Sequence, residues 1–194
     1  MKKEQQLEKS ADSFVLMVKF KEDEKLEEAG IKGIKPEIKG IEEIETALDS
    51  TGFWFYITES EFYDRVTVEL DVNPTEAITQ LRKTSTIAIE RAVPLDYVVS
   101  SSMESLITNI LKLASQKIEG NESFTVQIEL KGDGLRPIEG TNSQHELTNQ
   151  LTTELCDGLN LKHQDENNDW IIQIEELGDE MGIAICRPDE ILVK

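Results

Sequence analysis

The chain has 194 residues, 38% of them apolar and 6% aromatic, enough for one large domain or two small ones sharing an interface. It carries 20 basic against 39 acidic residues, a net charge of −19 at pH 7. A field of that sign repels nucleic acid at long range, so any RNA-binding surface must be a local concentration of cations on an acidic body.

Residues 1–12 (MKKEQQLEKSAD) are charged and polar, lack the apolar stretch of a secretory leader, and are expected to form a disordered, solvated tail. Residues 13–21 alternate Phe14, Leu16, Val18 and Phe20 on one face, which predicts a strand. A Glu/Lys-rich connector to about Lys35 follows, with a short helical turn. Pro36 then opens a helix with Ile38, Ile41, Ile44 and Leu48 inward, ending near Gly52. Residues 53–58 (FWFYIT) and 65–71 (RVTVELD) read as strands. Asn73-Pro74-Thr75-Glu76 is a helix start, with Asn as cap and Pro at the first helical position. That helix closes on Arg82 and Lys83, where cations complement the helix dipole. A strand at 86–91 completes a βαββαβ, ferredoxin-like half over residues 13–94, with Pro94 expected to break it.

The second half, 95–194, reads αβαββ. Ser101 with Glu104 forms a capping box ahead of a helix over 101–118, whose stripe is Met103, Leu106, Ile107, Ile110, Leu111, Ala114 and Ile118. Residues 123–131 alternate strictly as a strand. Residues 131–142 (KGDGLRPIEGTN) are loop, and a helix over about 143–157 ends at Gly158. Residues 169–175 and 181–187 form a hairpin. The fold class is thus α+β, with two halves each built of a sheet and helices.

Residues able to do chemistry are scarce. His145 and His163 are far apart in sequence, and neither stands beside cysteine at a metal spacing. Glu175, Glu176, Asp179 and Glu180 read as a polar hairpin turn, lacking the alternating ligand spacing of a cation loop. Phosphate-loop, dinucleotide and nucleophile-elbow motifs are absent. Cys156 and Cys186 read as unpaired core side chains in a reducing, cytoplasmic setting. No apolar run is long enough to span a membrane. The expectation is a binding protein with no catalytic, metal or cofactor site.

Basic residues can be followed one by one: Arg82 and Lys83 on the second helix, Arg91 after it, Lys112 and Lys117 on the long helix, and Lys131 and Arg136 framing the Gly-rich loop. Convergence of several would make an anion-binding surface.

The second half resembles the THUMP domain, and is similar in particular to archaeal stand-alone THUMP proteins related to the adaptor for tRNA cytidine acetylation. The residues that carry the likeness are Asn121-Glu122-Ser123-Phe124-Thr125-Val126, the run Trp170 to Glu175, Gly182 to Ile185, and Arg187 to Leu192. With TVELDVNPTEAITQLRK and RAVPLDYVV in the first half, it covers roughly residues 50–192. The resemblance implies a ferredoxin-like domain paired with a THUMP domain, tRNA as ligand, and no chemistry of its own. It further implies an adaptor presenting tRNA to a separate RNA acetyltransferase. The residues expected to hold RNA are Lys131 and Arg136, with Lys112, Lys117, Arg82 and Lys83 in support. Relatives carry several cations just after the SFxV strand, where this chain has only Lys131 and Arg136. The competing reading is a protein-interaction module that docks its acidic face on a basic partner without RNA.

Overall fold

The first strand, β1 (Phe14–Phe20), is apolar on both faces, and that sets the architecture. Leu16, Val18 and Phe20 pack toward the helices of the first half, while Met17 on the opposite face is equally excluded from solvent. A strand apolar on both faces must be covered on both. The structure, a computed structural model, describes residues 14–28, 33–131 and 144–194. The expected tail at 1–12, most of the Gly-rich loop and Arg136 lie outside the described residues.

After β1 come α1 (Asp23–Glu28), α2 (Pro36–Asp49), β2 (Phe55–Glu59), β3 (Arg65–Leu70), α3 (Pro74–Lys83) and β4 (Ile89–Leu95). The antiparallel sheet orders them β4-β1-β3-β2, the ferredoxin-like arrangement. Ile44, Ala47 and Leu48 of α2, with Ala77, Ile78 and Leu81 of α3, cover one face of that sheet. Ile38 is not inward as its spacing suggested but 53% exposed. The helix instead presses Gly40 against Phe20, where a Cβ would lie 2.2 Å from the ring.

Pro94 does not break β4, which continues through it to Leu95, pairing Pro94 with Leu16. Among the described residues the far side of β4 is bonded from Glu90 to Ala92, so from Val93 onward it is an edge, where a missing donor costs the ladder nothing.

The second half runs β5 (Tyr97–Ser100), α4 (Met103–Lys117), β6 (Ser123–Glu129), α5 (Gln144–Leu159), β7 (Lys162–His163), β8 (Trp170–Glu176), β9 (Glu180–Cys186) and β10 (Leu192–Val193). Its sheet orders β5-β9-β8-β6-β7, with β6 parallel to β7 and β8 and the remaining pairs antiparallel. Residues 97–100, to which the sequence reading gave no element, are a strand, because their pairing with β9 lies eighty or more residues away and leaves no local signal. Ser102, not Ser101, caps α4, its hydroxyl accepting from Ser105 N at 3.2 Å. Helix α5 runs through Gly158 and stops at Asn160, whose φ of 53° is the left-handed turn that ends a helix.

Leu106, Ile110, Leu113 and Ala114 of α4 and Leu147, Leu151 and Leu155 of α5 fill one face of the second sheet. The other faces of the two sheets pack on each other through Met17, Val93, Leu95, Ile171, Leu177, Ala184 and Cys186. The layers are therefore helix, sheet, sheet, helix. β10 returns to the first sheet, pairing Leu192 with Ala92 and Val193 with Arg91, so residues that sequence assigned to the second half, without a strand there, form a strand of the first.

Candidate nucleic-acid interface

At one end of the apolar seam the inner faces of both sheets turn polar. Lys19 of β1, Arg65 of β3 and Arg91 of β4 project from the first sheet, and Glu129 of β6 and Glu175 of β8 from the second. Strand alternation dictates this: Lys19 shares a face with Met17, and Arg91 with Val93. Arg65 Nη1 donates to Glu175 Oε2 at 3.1 Å and to the Glu176 carbonyl at 3.0 Å, while Nη2 donates to Glu129 Oε1 at 3.0 Å. Arg91 joins the same two carboxylates, at 2.5 Å from Glu175 Oε1 and in closer contact with Glu129. Lys19 Nζ reaches Glu129 at 2.5 Å. The side chain of Arg65 is 0% exposed.

The titration of these groups follows from that geometry. Burial pushes Glu175 up to about 7 against the opposing pull of Arg91 and Arg65. Burial also drives Glu129 upward, but Lys19, Arg91 and Arg65 outweigh it and hold the carboxyl below its ordinary value. Asp64 is likewise held down, burial being outweighed by Arg65 and Lys131.

The seam therefore does gather scarce cations, as a phosphate-binding cleft requires, but it spends them on carboxylates. Among the six residues expected at the RNA surface, Lys131 lies at this seam, its Nζ 2.9 Å from Asp64 Oδ2 and its side chain 38% exposed. Lys117 is turned inward, donating to Asp96 Oδ1 at 2.5 Å and the Ile185 carbonyl at 2.8 Å. Arg82 donates to the carbonyls of Asp189 at 2.9 Å and Ile191 at 3.3 Å, clamping the chain that leads into β10. Lys83 and Lys112 are exposed on helices of opposite outer layers, without an ion pair among the described residues. Arg136 lies outside the described residues. The described members of the set are not brought into one strip.

Sequence reasoning missed Lys19 and Arg65, and it misplaced Glu175 and Glu176. The two glutamates are not in the hairpin turn but in β8, at 0% and 1% exposure. The available signal was two-sided apolarity: FVLMVKF, WIIQIEE and EMGIAIC have apolar residues on both strand faces, so a charge within them faces a buried interface rather than water. At the other end of the second sheet, Arg187 stacks on Trp170 at 3.9 Å, Glu122 accepts from both, and the Glu119 backbone with those two donors holds Glu122 down at about 2. Trp170 is thus half-buried, packed against the core of the second half and stacked under Arg187. His145 is exposed on α5, and His163 stands on β7, edge-on to Phe124. Both cysteines are free.

The two sheets, joined face to face and tied by β10, form a THUMP-like fold. The chain is similar to PH1313 from Pyrococcus horikoshii Ot3, at 19% identity and a TM-score of 0.63, over 90% of this chain and 54% of that one. It is similar to a 4-thiouridine synthetase solved as an RNA complex with bound ATP, at 19% identity and 0.58, over 90% and 41%. TrmN from Thermus thermophilus matches at 13% identity and 0.56, over 94% and 46%. The chain spans about half the length of each of these proteins. No family model matches the sequence, and no curated protein matches it. No described helix is long and apolar enough to cross a membrane.

Proposed function

We propose that the protein binds tRNA without transforming it and acts as an adaptor for a modification enzyme, an RNA cytidine acetyltransferase. The observation that carries the reading is the shared fold: 90% of the chain superposes on a synthetase whose structure is an RNA complex. The seam supports it mechanically. Arg65, Arg91, Glu129 and Glu175 fix the two halves as one body, so a ligand spanning both meets a preorganised surface.

The cations that meet phosphate are those whose release costs least. Lys131 qualifies, because Asp64 keeps Arg65 at 3.1 Å when Lys131 turns away, and a half-exposed lysine–carboxylate pair is worth at most about 1 kcal/mol. Lys83 and Lys112 have no carboxylate among the described residues to surrender. With so few contacts on a body of net charge −19, binding is weak and strongly salt-dependent.

The test is tRNA retention on native gels. A shift is expected at about 50 mM salt and lost by about 200 mM. Absence of any shift at low salt, together with capture of a basic protein, would replace this reading with the acidic docking module. For the adaptor role, adding the protein to a cytidine acetyltransferase should raise acetylation of a D-arm cytidine, and an unchanged yield would remove that part alone.

A further inference from the structure

The outer side of β2 has no partner among the described residues. β2 lies at the end of the first sheet and pairs only with β3, in unbroken register from Phe55 opposite Leu70 to Glu59 opposite Val66. One row of its backbone N–H and C=O groups therefore faces outward. Exposed edges are ordinarily blunted by lysine, proline or a bulge, and Phe55–Glu59 (FYITE) contains none of these. Two large aromatic side chains stand at this edge in the open, Trp54 at 52% and Tyr56 at 57% exposure.

Beside this edge a cleft of about 160 Å³ opens between the two halves. Thr58, Glu59, Ser60, Thr67, Glu69 and Glu180 stand in its wall, and among the described residues no lysine or arginine lines it. Elsewhere in the seam every carboxylate of the network meets a cation. Here Glu59, Glu69 and Glu180 make no ion pair among the described residues. RNA is repelled from such a place and a cationic side chain is drawn to it.

We propose that β2 takes up an extended segment of a partner protein as an added strand of the first sheet, with a lysine or arginine of that segment entering the glutamate cleft. Backbone hydrogen bonds to the free edge supply affinity, and the alternation of strand side chains supplies specificity. Basic residues at every second position of the incoming strand lie on the Tyr56 and Glu69 face, and the residues between them lie on the face of Phe55 and Ile57.

The experiment uses the full chain without RNA, so its outcome is independent of the tRNA reading. Fluorescence anisotropy compares a labelled nonapeptide alternating lysine with valine against one of identical composition with the lysines in a single block. Hydrogen exchange on the complex reports which amides become protected. The alternating peptide is expected to bind at least about tenfold tighter and to protect amides within Tyr56–Glu59. The pair Glu69→Gln and Glu180→Gln, both at water-accessible positions, should weaken it about fivefold with an unchanged melting temperature. Equal binding of the two peptides, protection away from β2, or binding indifferent to the double substitution overturns the proposal.

Discussion

Arg65 Nη1 stands 3.1 Å from Glu175 Oε2 with both side chains wholly excluded from solvent, and the two residues come from different halves of the molecule. A buried ion pair repays its desolvation only when its remaining hydrogen bonds are also made. Here they are: Arg65 also donates to Asp64, Glu129 and the Glu176 carbonyl, and Glu175 also accepts from Arg91 and Gln173. The network sets the register of one sheet on the other, which the apolar seam residues alone, being non-directional, do not.

Replacing Arg65 by methionine keeps volume and removes the charge, leaving Arg91 as the one cation among the described residues still in contact with Glu175, with Lys19 further off. The expected loss is about 3 kcal/mol at neutral pH. Because burial holds the folded Glu175 carboxyl at about 7, above its unfolded value of 4.5, the stability it contributes is fully present below 4.5 and is lost as pH rises through 7. Without Arg65 the folded value rises further, so the deficit at pH 8 should exceed that at pH 5. Urea denaturation at both pH values measures it. Equal deficits would mean that Arg65 acts through packing alone.

The parts of the fold legible in sequence were those with local signatures. The βαββαβ order, the Asn73 cap and the alternation of β6 followed from neighbours a few residues apart. What escaped was set at long range. β5 is a strand because of β9, β10 belongs to the first sheet because Leu192 meets Ala92, and Arg65 is buried and Lys19 half-buried because a second sheet covers them. Charge read along the chain counts cations but not their partners. For that reason Lys117, exposed by helical phase, turns out anchored to Asp96.

The surface lysines should now separate by partner. Lys83→Glu and Lys112→Glu each remove a cation that no carboxylate among the described residues occupies, and each is expected to weaken tRNA retention and to flatten the salt slope by about 0.7–0.9. Lys117→Ala should leave the slope unchanged and cost about 1 kcal/mol of stability, because it strips Asp96 of its cation and leaves it only the Ile185 N–H. Filter binding across a salt series distinguishes them, and a Lys117 variant with the flatter slope would put that residue on RNA.

Asn160 ends α5 in the left-handed region at φ 53°, where asparagine and glycine are tolerated and a Cβ-branched side chain is not. Asn160→Gly should be neutral within a few tenths of a kcal/mol, and Asn160→Val should cost about 1–2 kcal/mol. Thermal melts of the two variants decide it; equal melting temperatures would place the end of the helix elsewhere.

The return of the chain to the first sheet makes the two halves cooperative. Leu192 is 2% exposed in the core of the first half, although its strand follows directly from the second. Arg82 clamps the approach to that strand through the Asp189 and Ile191 carbonyls, and Lys194 closes it on the Thr84 carbonyl at 2.7 Å. Leu192→Ala removes buried methyl groups at a site fixed on both sides, for an expected loss of about 3 kcal/mol. Unfolding either half drags β10 and the Arg65–Glu175 network with it, so the variant should melt in a single transition lowered by about 10 °C. Calorimetry checks both the shift and the number of transitions. Two separate transitions would show that the halves fold independently and that the surface offered to a ligand is not the rigid one required here.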